Sequence, residues 1–363
     1  MRAILLFLLL FQMVAFLPAQ DKLRVGIAGL AHGHAQGFFR TALDRADVEI
    51  VGISEPDATI VESYLKRFPR LDRTRIHASH AAMMDQAKPE AVMIFSSTVD
   101  HKEIVELCAA RHIHAMMEKP LAVSMEHARA MADAARRAGI HVMVNFETTW
   151  YPVNAPIWRM VREEKKFGEI RRLVTHYGHQ GPKEIGTGPE FFSWLTDPAK
   201  NGAGALFDFG CYGANFATWL FDNQRPLSVT AVTHTNKPAI YAKVDDEATV
   251  IVQYPKAQLI IQPSWNWPTS RKDMEVYGET GYLITANRAD YRYRAAGMKQ
   301  DEALTAPPLP APDDDVVRYL TAVVRGRLKP SGLSSLENNI IVTEILTMAR
   351  ESARTGRTVL IKR

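Results

Sequence analysis

The sequence has little cysteine, little net charge and only one long apolar run. Two cysteines in 363 residues, Cys108 and Cys211, exclude a disulfide scaffold and a cysteine-built zinc site. Their distant settings give no reason to expect a bridge. A formal charge of +4 with no basic block excludes the electrostatic footprint of a nucleic-acid binder. There is no internal repeat and no low-complexity tract. With 47% hydrophobic and 23% charged residues, the chain is neither disordered nor a multi-span membrane protein. At roughly 100–200 residues per domain, its length predicts two domains.

The one long apolar run stands at the start. Arg2 precedes Ala3 to Leu17, interrupted only by Gln12, and Pro18-Ala19-Gln20 leads into Asp21-Lys22. A short positive start, an apolar stretch of about 15 residues and small residues before a polar segment form a secretory-signal pattern. A spanning helix needs roughly 20 apolar residues. Residues 1–19 therefore read as a leader cut after Ala19 or Gln20, with an uncleaved anchor as the alternative. The expected location is periplasmic or secreted, with no membrane contact after cleavage. Arg2 stands alone, so the twin-arginine signal for folded export is missing.

From Leu23 onward, strand-like and helix-like stretches alternate. Leu23–Leu30, Val48–Ile53, Ala91–Phe95, Ile113–Met117 and Ile140–Phe146 read as strands. His34–Asp44, His101–Arg111 and a segment capped by Ser124 and ended by Gly139 read as helices. This alternation predicts an α/β domain over residues 22–148, with a parallel sheet covered on both faces. After about residue 150, Leu227–Thr235, Glu247–Tyr254, Gln258–Pro263, Met274–Tyr277 and Tyr282–Thr285 are β-rich runs between turns. They predict an α+β domain over 149–363 with a large, mostly antiparallel open sheet. Its closing amphipathic helix, 336–353, is placed to pack back on the first domain. Asp313-Asp314-Asp315 suits the positive end of the helix that follows it.

Three motifs carry chemistry. Gly29-Leu30-Ala31-His32-Gly33-His34 follows the first strand, where dinucleotide-binding domains place G-x-G-x-x-G. Only Gly29 matches; Ala31 and His34 hold the second and third glycine positions. Glu55 ends the second strand, 26 residues after Gly29, where a carboxylate binds the ribose hydroxyls of an adenosine and repels a 2′-phosphate. This favours NAD over NADP. Second, Glu118-Lys119-Pro120 closes a strand at the edge where ligands gather in such folds, with a proline that suits a cis bond. Third, Asp208 and Tyr212 stand four apart and share a face if the segment is helical. No histidine–carboxylate pair has metal-ligand spacing, so no metal is expected.

Taken in order, these features resemble the glucose–fructose oxidoreductase, inositol dehydrogenase and rhizopine-catabolism (Gfo/Idh/MocA) family across essentially the whole mature chain. The resemblance rests on Val25-Gly26-Ile27-Ala28-Gly29, Ser54-Glu55-Pro56-Asp57 and Ser96-Ser97-Thr98-Val99-Asp100-His101. Glu118-Lys119-Pro120, Gly202-Ala203-Gly204-Ala205-Leu206-Phe207-Asp208 and Ala349–Arg357 complete it. It implies a Rossmann first domain and a nicotinamide cofactor touched by Ser96, His101, Glu118 and Lys119 as well as the loop and Glu55. The family often has histidine where this chain has Tyr212, which is similar to the glucose–fructose oxidoreductase and dihydrodiol dehydrogenase branches. The expected roles are Lys119 polarising a substrate hydroxyl and Tyr212 exchanging its proton, its pKa lowered by the neighbouring cation. Asp208 is expected to orient the sugar or Lys119.

His179 and Trp265 are further substrate-binding candidates, and His34 a candidate for phosphate or ring. Thr149 stands where the family often has arginine. The resemblance implies an oxidoreductase acting on a sugar or polyol, with tightly held NAD in a compartment that supplies none. It also implies a homo-oligomer formed through the second sheet, where Ser228, Thr230 and Val232 alternate with Val229, Ala231 and Thr233. The alternatives are a redox-neutral glycoside-cleaving enzyme and a non-catalytic sugar-binding relative.

Overall fold

The computed structural model describes residues 22–361; the expected leader and its cleavage point lie outside them. The first domain runs β1 (Leu23–Ala28), α1 (His34–Ala42), β2 (Val48–Ser54), α2 (Ala58–Arg67), β3 (Ile76–His77) and α3 (His80–Ala87). It continues with β4 (Ala91–Ile94), α4 (His101–Ala109), β5 (His114–Glu118), α5 (Met125–Ala138) and β6 (Val142–Asn145). All its strands are parallel, in the order β3-β2-β1-β4-β5-β6. That order reverses direction between β1 and β4, which opens a crevice at the carboxyl ends of the strands. β1, β4 and β5 are almost wholly buried because helices cover both faces. Helix α5 begins where the Ser124 hydroxyl accepts from His127 N–H, and ends at Gly139 with φ of +67°.

The second domain runs α6 (Asn154–Trp158), β7 (Ile170–Gly178), α7 (Pro189–Leu195), α8 (Pro198–Asn201), α9 (Ala205–Asp208) and α10 (Gly210–Leu220). Then come β8 (Ser228–His234), β9 (Glu247–Gln253), β10 (Gln258–Ser264), β11 (Arg271–Gly278), β12 (Tyr282–Thr285), β13 (Asp290–Arg294) and β14 (Glu302–Thr305). α11 (Val316–Val324), α12 (Leu336–Thr355) and β15 (Val359–Leu360) close it. The nine strands are ordered β14-β13-β12-β11-β7-β10-β9-β8-β15. Only β7 and β10 pair in parallel. Helices α10 and α12 cover one face, and α12 also touches α5 and β6 of the first domain. On β8, Val229 and Ala231 are buried beneath the helices while Val232 on the opposite face is 68% exposed. Cys108 and Cys211 are both buried and free.

The fold matters for function because of where the ends of elements meet. The carboxyl ends of β1, β2 and β5 converge with β7, α7 and the α9–α10 junction. Lys119, Glu55, Asp208, Tyr212, His179 and the glycine loop lie on or directly after these, and Trp265 and Lys272 join them from the ends of β10 and β11.

Candidate active site

Lys119 follows directly on β5, and its peptide bond to Pro120 is cis. The turn places the ammonium, 6% exposed, against the carboxylate of Asp208 at the end of α9. Lys119 Nζ also donates to the Asp208 carbonyl at 3.3 Å. The second carboxylate oxygen of Asp208 accepts from Trp265 Nε1 at 2.9 Å. Burial pulls the lysine pKa down, but Asp208 outweighs it and holds the ammonium above its ordinary value. Burial likewise pushes Asp208 up, and Lys119 holds it below the usual carboxylate range. The result is a buried ion pair with both of the carboxylate's oxygens engaged.

This geometry corrects two expectations. Trp265 is fully buried and sits outside the cavity lining, so it positions Asp208 and meets no substrate there. A tryptophan at a strand end offers the same flat surface to core or ligand; here the core takes it. Trp265→Phe removes the indole donor alone. It should lower stability by about 1.5–3 kcal/mol, the worth of a hydrogen bond to a charged group, and turnover by about tenfold. Denaturant midpoints and kcat check both.

The second correction concerns Tyr212. Helix α9 ends at Asp208 and α10 starts at Gly210, so the two residues flank a break rather than share one helix. Both still line the same cavity. The Tyr212 ring stacks on Tyr177 at 5.4 Å and Phe209 at 5.8 Å, with the Lys119 ammonium 5.4 Å from its centroid. Its phenol pKa is raised well above the ordinary value, not lowered. Burial is the chief cause, and Glu147, Asp208 and Glu118 add to it, while the nearby cation is engaged by Asp208.

A cavity of about 370 Å³ is bounded by His34, Lys119, His179, Asp208, Tyr212 and Lys272, with Ile185, Phe191 and Phe209 as apolar wall. His179 Nδ1 accepts from Gly181 N–H at 2.9 Å, which leaves the ring proton on Nε2 as a donor. Burial lowers its pKa, so the ring is neutral. Sequence reasoning missed Lys272 and Phe191. Lys272 enters from β11 and pairs with Glu147. Phe191 comes from α7, in a stretch without strand or helix periodicity.

Beside this cavity lies the glycine loop. Gly29 has φ of +81°, and a Cβ there would sit 2.8 Å from Ser96 N, so this position takes only glycine. Glu55 is buried and accepts from Leu30 N–H at 2.7 Å and Asp57 N–H at 3.0 Å; burial raises its pKa against those bonds. It therefore stands against the loop at the end of β2. His32 is buried, with Nδ1 accepting from His34 N–H at 3.1 Å. His34 Nδ1 lies 2.8 Å from Glu118 Oε2, and Asn145 Nδ2 donates to Glu118 Oε1 at 2.8 Å. The topology thus gathers His32, His34 and Glu118 with ligand atoms within 4.8 Å, a trio that linear spacing conceals. His34 Nδ1 and Glu118 engage each other, whereas His32 Nε2 is buried with no hydrogen-bond partner among the described residues; no metal is assigned. Ser96 and His101 are buried nearby. Ser96 Oγ donates to the Ser97 carbonyl, and His101 Nδ1 lies 3.2 Å from the Leu121 carbonyl. Neither lines the cavity.

Phe191 lies over Gly33 and packs on His32 at 4.7 Å, while Trp194 Nε1 donates to the Ala31 carbonyl at 3.3 Å. The second domain therefore covers the loop. The strand order, the glycine-only position and the anchored Glu55 fit a dinucleotide at this crevice. The start of α1 is capped by His32 and roofed by Phe191.

Two family models match the chain. Residues 23–146 match the oxidoreductase family with an NAD-binding Rossmann fold, and residues 158–284 the GFO/IDH/MocA C-terminal domain. Trans-1,2-dihydrobenzene-1,2-diol dehydrogenase of Sus scrofa is 24% identical over 213 residues, 59% of this chain and 58% of the relative. The match therefore spans well under two thirds of that enzyme. The aldose–aldose oxidoreductase of Caulobacter crescentus, complexed with glycerol, superposes with a TM-score of 0.78 at 19% identity, covering 94% of this chain and all of that one. The inositol dehydrogenase homologue of Azotobacter vinelandii, complexed with NAD+, gives 0.80 at 17%, covering 94% and 98%. Fold and both domain matches agree that the chain belongs to the Gfo/Idh/MocA oxidoreductase family, with an NAD-binding Rossmann domain at its amino-terminal side.

Proposed function

We propose that this protein is an exported NAD-dependent oxidoreductase that moves a hydride between nicotinamide and a hydroxyl-bearing carbon of a sugar or polyol. The observation that carries it is the Lys119–Asp208 pair opening, with Tyr212 and neutral His179, on one cavity beside the glycine loop. NAD supplies the hydride acceptor when bound. Glu55 would hold its ribose and the 29–34 loop its pyrophosphate. Lys119, kept charged by Asp208, hydrogen-bonds the substrate oxygen and stabilises negative charge as the C–H bond breaks. Tyr212 exchanges the hydroxyl proton: its raised pKa keeps it protonated at rest, so it donates to the substrate oxygen in the reducing direction, and in the oxidising direction it accepts only after passing its own proton to solvent. His179 Nε2–H orients a neighbouring hydroxyl.

The roof of Phe191 and Trp194 over the loop supports a cofactor that stays bound through the cycle. The apolar run 3–17 supports export, where a resident cofactor is needed. The exposed face of the second sheet, including Val232 and Ile251, supports pairing between subunits. Tyr212→Phe tests the reading. Turnover should fall by about 10²–10⁴, the worth of a placed acid–base group, with little change in thermal midpoint. Unchanged turnover would remove Tyr212 from the chemistry. Product analysis separates outcomes: an oxidised sugar supports the dehydrogenase, whereas a cleaved glycoside without net NADH supports oxidation–elimination.

A further inference from the structure

Asp208 is the last residue of α9, a helix of only four residues. A single turn does not hold itself together in water, because the cost of nucleating it is not repaid by further hydrogen bonds. Its place is therefore set by what grips its two ends. At the carboxyl end the grip is Lys119 and Trp265. At the amino end it is Asp245, on the loop that enters β9 and outside the lining of the reaction cavity. Asp245 Oδ1 accepts from Gly204 N–H at 2.9 Å, Oδ2 from Leu206 N–H at 2.7 Å, and its carbonyl from Ala205 N–H at 3.0 Å. Three successive backbone donors thus end on one residue. The approach is so close that a Cβ on Gly204 would lie 1.9 Å from the Asp245 carbonyl oxygen, so the turn needs glycine there. The next residue completes the arrangement. The Asp246 carbonyl accepts from Trp265 N–H at 2.8 Å, and the Trp265 indole is the second partner of Asp208. Residues 245 and 246 together place the helix that carries the carboxylate and the donor that faces it.

Backbone N–H groups, and no cation among the described residues, stabilise the charge on Asp245; burial raises its carboxyl to about 6. A folded value above the unfolded one of about 3.9 means that the fold favours the neutral group. At neutral pH the charge works against stability, and what it contributes is geometry. We infer that Asp245 is a positioning residue: it fixes the start of α9 and so sets Asp208 against Lys119, without touching substrate or cofactor. Its effect on turnover rests on the oxidoreductase reading; its effect on the place of Asp208 does not.

The test uses the full chain, isotope-labelled at its six tryptophans. The Trp265 indole N–H signal, identified by its absence in Trp265→Phe, reports whether Asp208 has moved. Asp245→Asn keeps the shape and one acceptor but turns an amide N–H toward a backbone donor. Asp315→Asn is the comparator, because Asp315 also accepts from two backbone donors at a helix start, Val317 and Arg318 at 3.0 Å each, far from the site in α11. The expected result is a Trp265 signal that shifts in Asp245→Asn and stays in Asp315→Asn. NADH formation from a panel of aldoses and polyols should fall about ten- to a hundredfold in kcat in Asp245→Asn, with thermal midpoint and NAD affinity hardly changed. Asp245→Ser, which keeps a single oxygen acceptor, should act in the same direction. An unmoved signal, or an undiminished kcat, would overturn the inference. Failure of both variants to fold would make Asp245 a structural residue and overturn it too. A wild-type protein that forms no NADH would defeat the oxidoreductase reading alone, since the indole signal still decides what places Asp208.

Discussion

Lys119→Met is expected to cost about 3–5 kcal/mol of stability at pH 7, the penalty of leaving one partner of a buried pair uncompensated, and to abolish turnover. Asp208 is 4% exposed on its side chain and would keep only the Trp265 donor for its carboxylate oxygens. The sign of the pH dependence should also change. In the wild type Asp208 is depressed, so its contribution is complete above the unfolded carboxyl value of about 3.9 and is lost as pH falls through the folded one. In the variant, burial acts unopposed and raises Asp208. The native state then binds more protons than the unfolded state above about pH 4, and stability rises on acidification from pH 7. Urea titrations at pH 5 and pH 7 read this directly. The double variant Lys119→Met/Asp208→Asn should recover most of the stability and none of the turnover, separating the pair's structural role from its chemical one.

Gly29→Ala should lower stability by about 2–5 kcal/mol, combining left-handed strain with a backbone clash, and should abolish nucleotide binding. The added Cβ meets Ser96 N at 2.8 Å, Ser96 Cα at 2.9 Å and the Phe95 carbonyl carbon at 3.0 Å. All three are backbone atoms at the end of β4 and cannot swing aside. Gly139 provides the control. Its φ of +67° is similar, yet nothing lies within 4 Å of its Cβ position. Gly139→Ala should therefore cost only the conformational share, about 1–2 kcal/mol, and leave binding intact. Thermal midpoints and NAD calorimetry on both variants decide it.

What was legible in the sequence was whatever local chemistry determines. Ser124 and Gly139 bound α5 because a hydroxyl cap and a left-handed glycine act within one helical turn. Asp315 caps α11 in the same way. The parallel sheet followed from alternating apolar runs, and the register of motifs located Lys119, Asp208 and Tyr212 on one site. What escaped depends on contacts far apart in the chain. The stretch from 58 to 87 folds into α2, β3 and α3; α3 has little amphipathic pattern and β3 is only two residues long, so local sequence marks them poorly. The parallel pairing of β7 with β10 joins residues about 85 apart in the chain, so no turn signal announces it. The Trp-Asn-Trp run at 265–267 does not reveal that Trp265 is buried, because its burial comes from the packing of distant elements. The direction of the Tyr212 shift depends on burial and on the Asp208 that neutralises the neighbouring cation, neither of which is local in sequence. Phe191 and Trp194 were invisible as a roof, since only the docking of α7 brings them to the glycine loop.

The most direct test of the account is to purify the protein without added nucleotide, denature it, and identify what is released by mass spectrometry. NAD or NADH is expected in near-stoichiometric amount, held by the Glu55 crevice beneath Phe191. Released NADP would contradict the reading of Glu55. An empty protein that also fails to bind added NAD would contradict the oxidoreductase account itself.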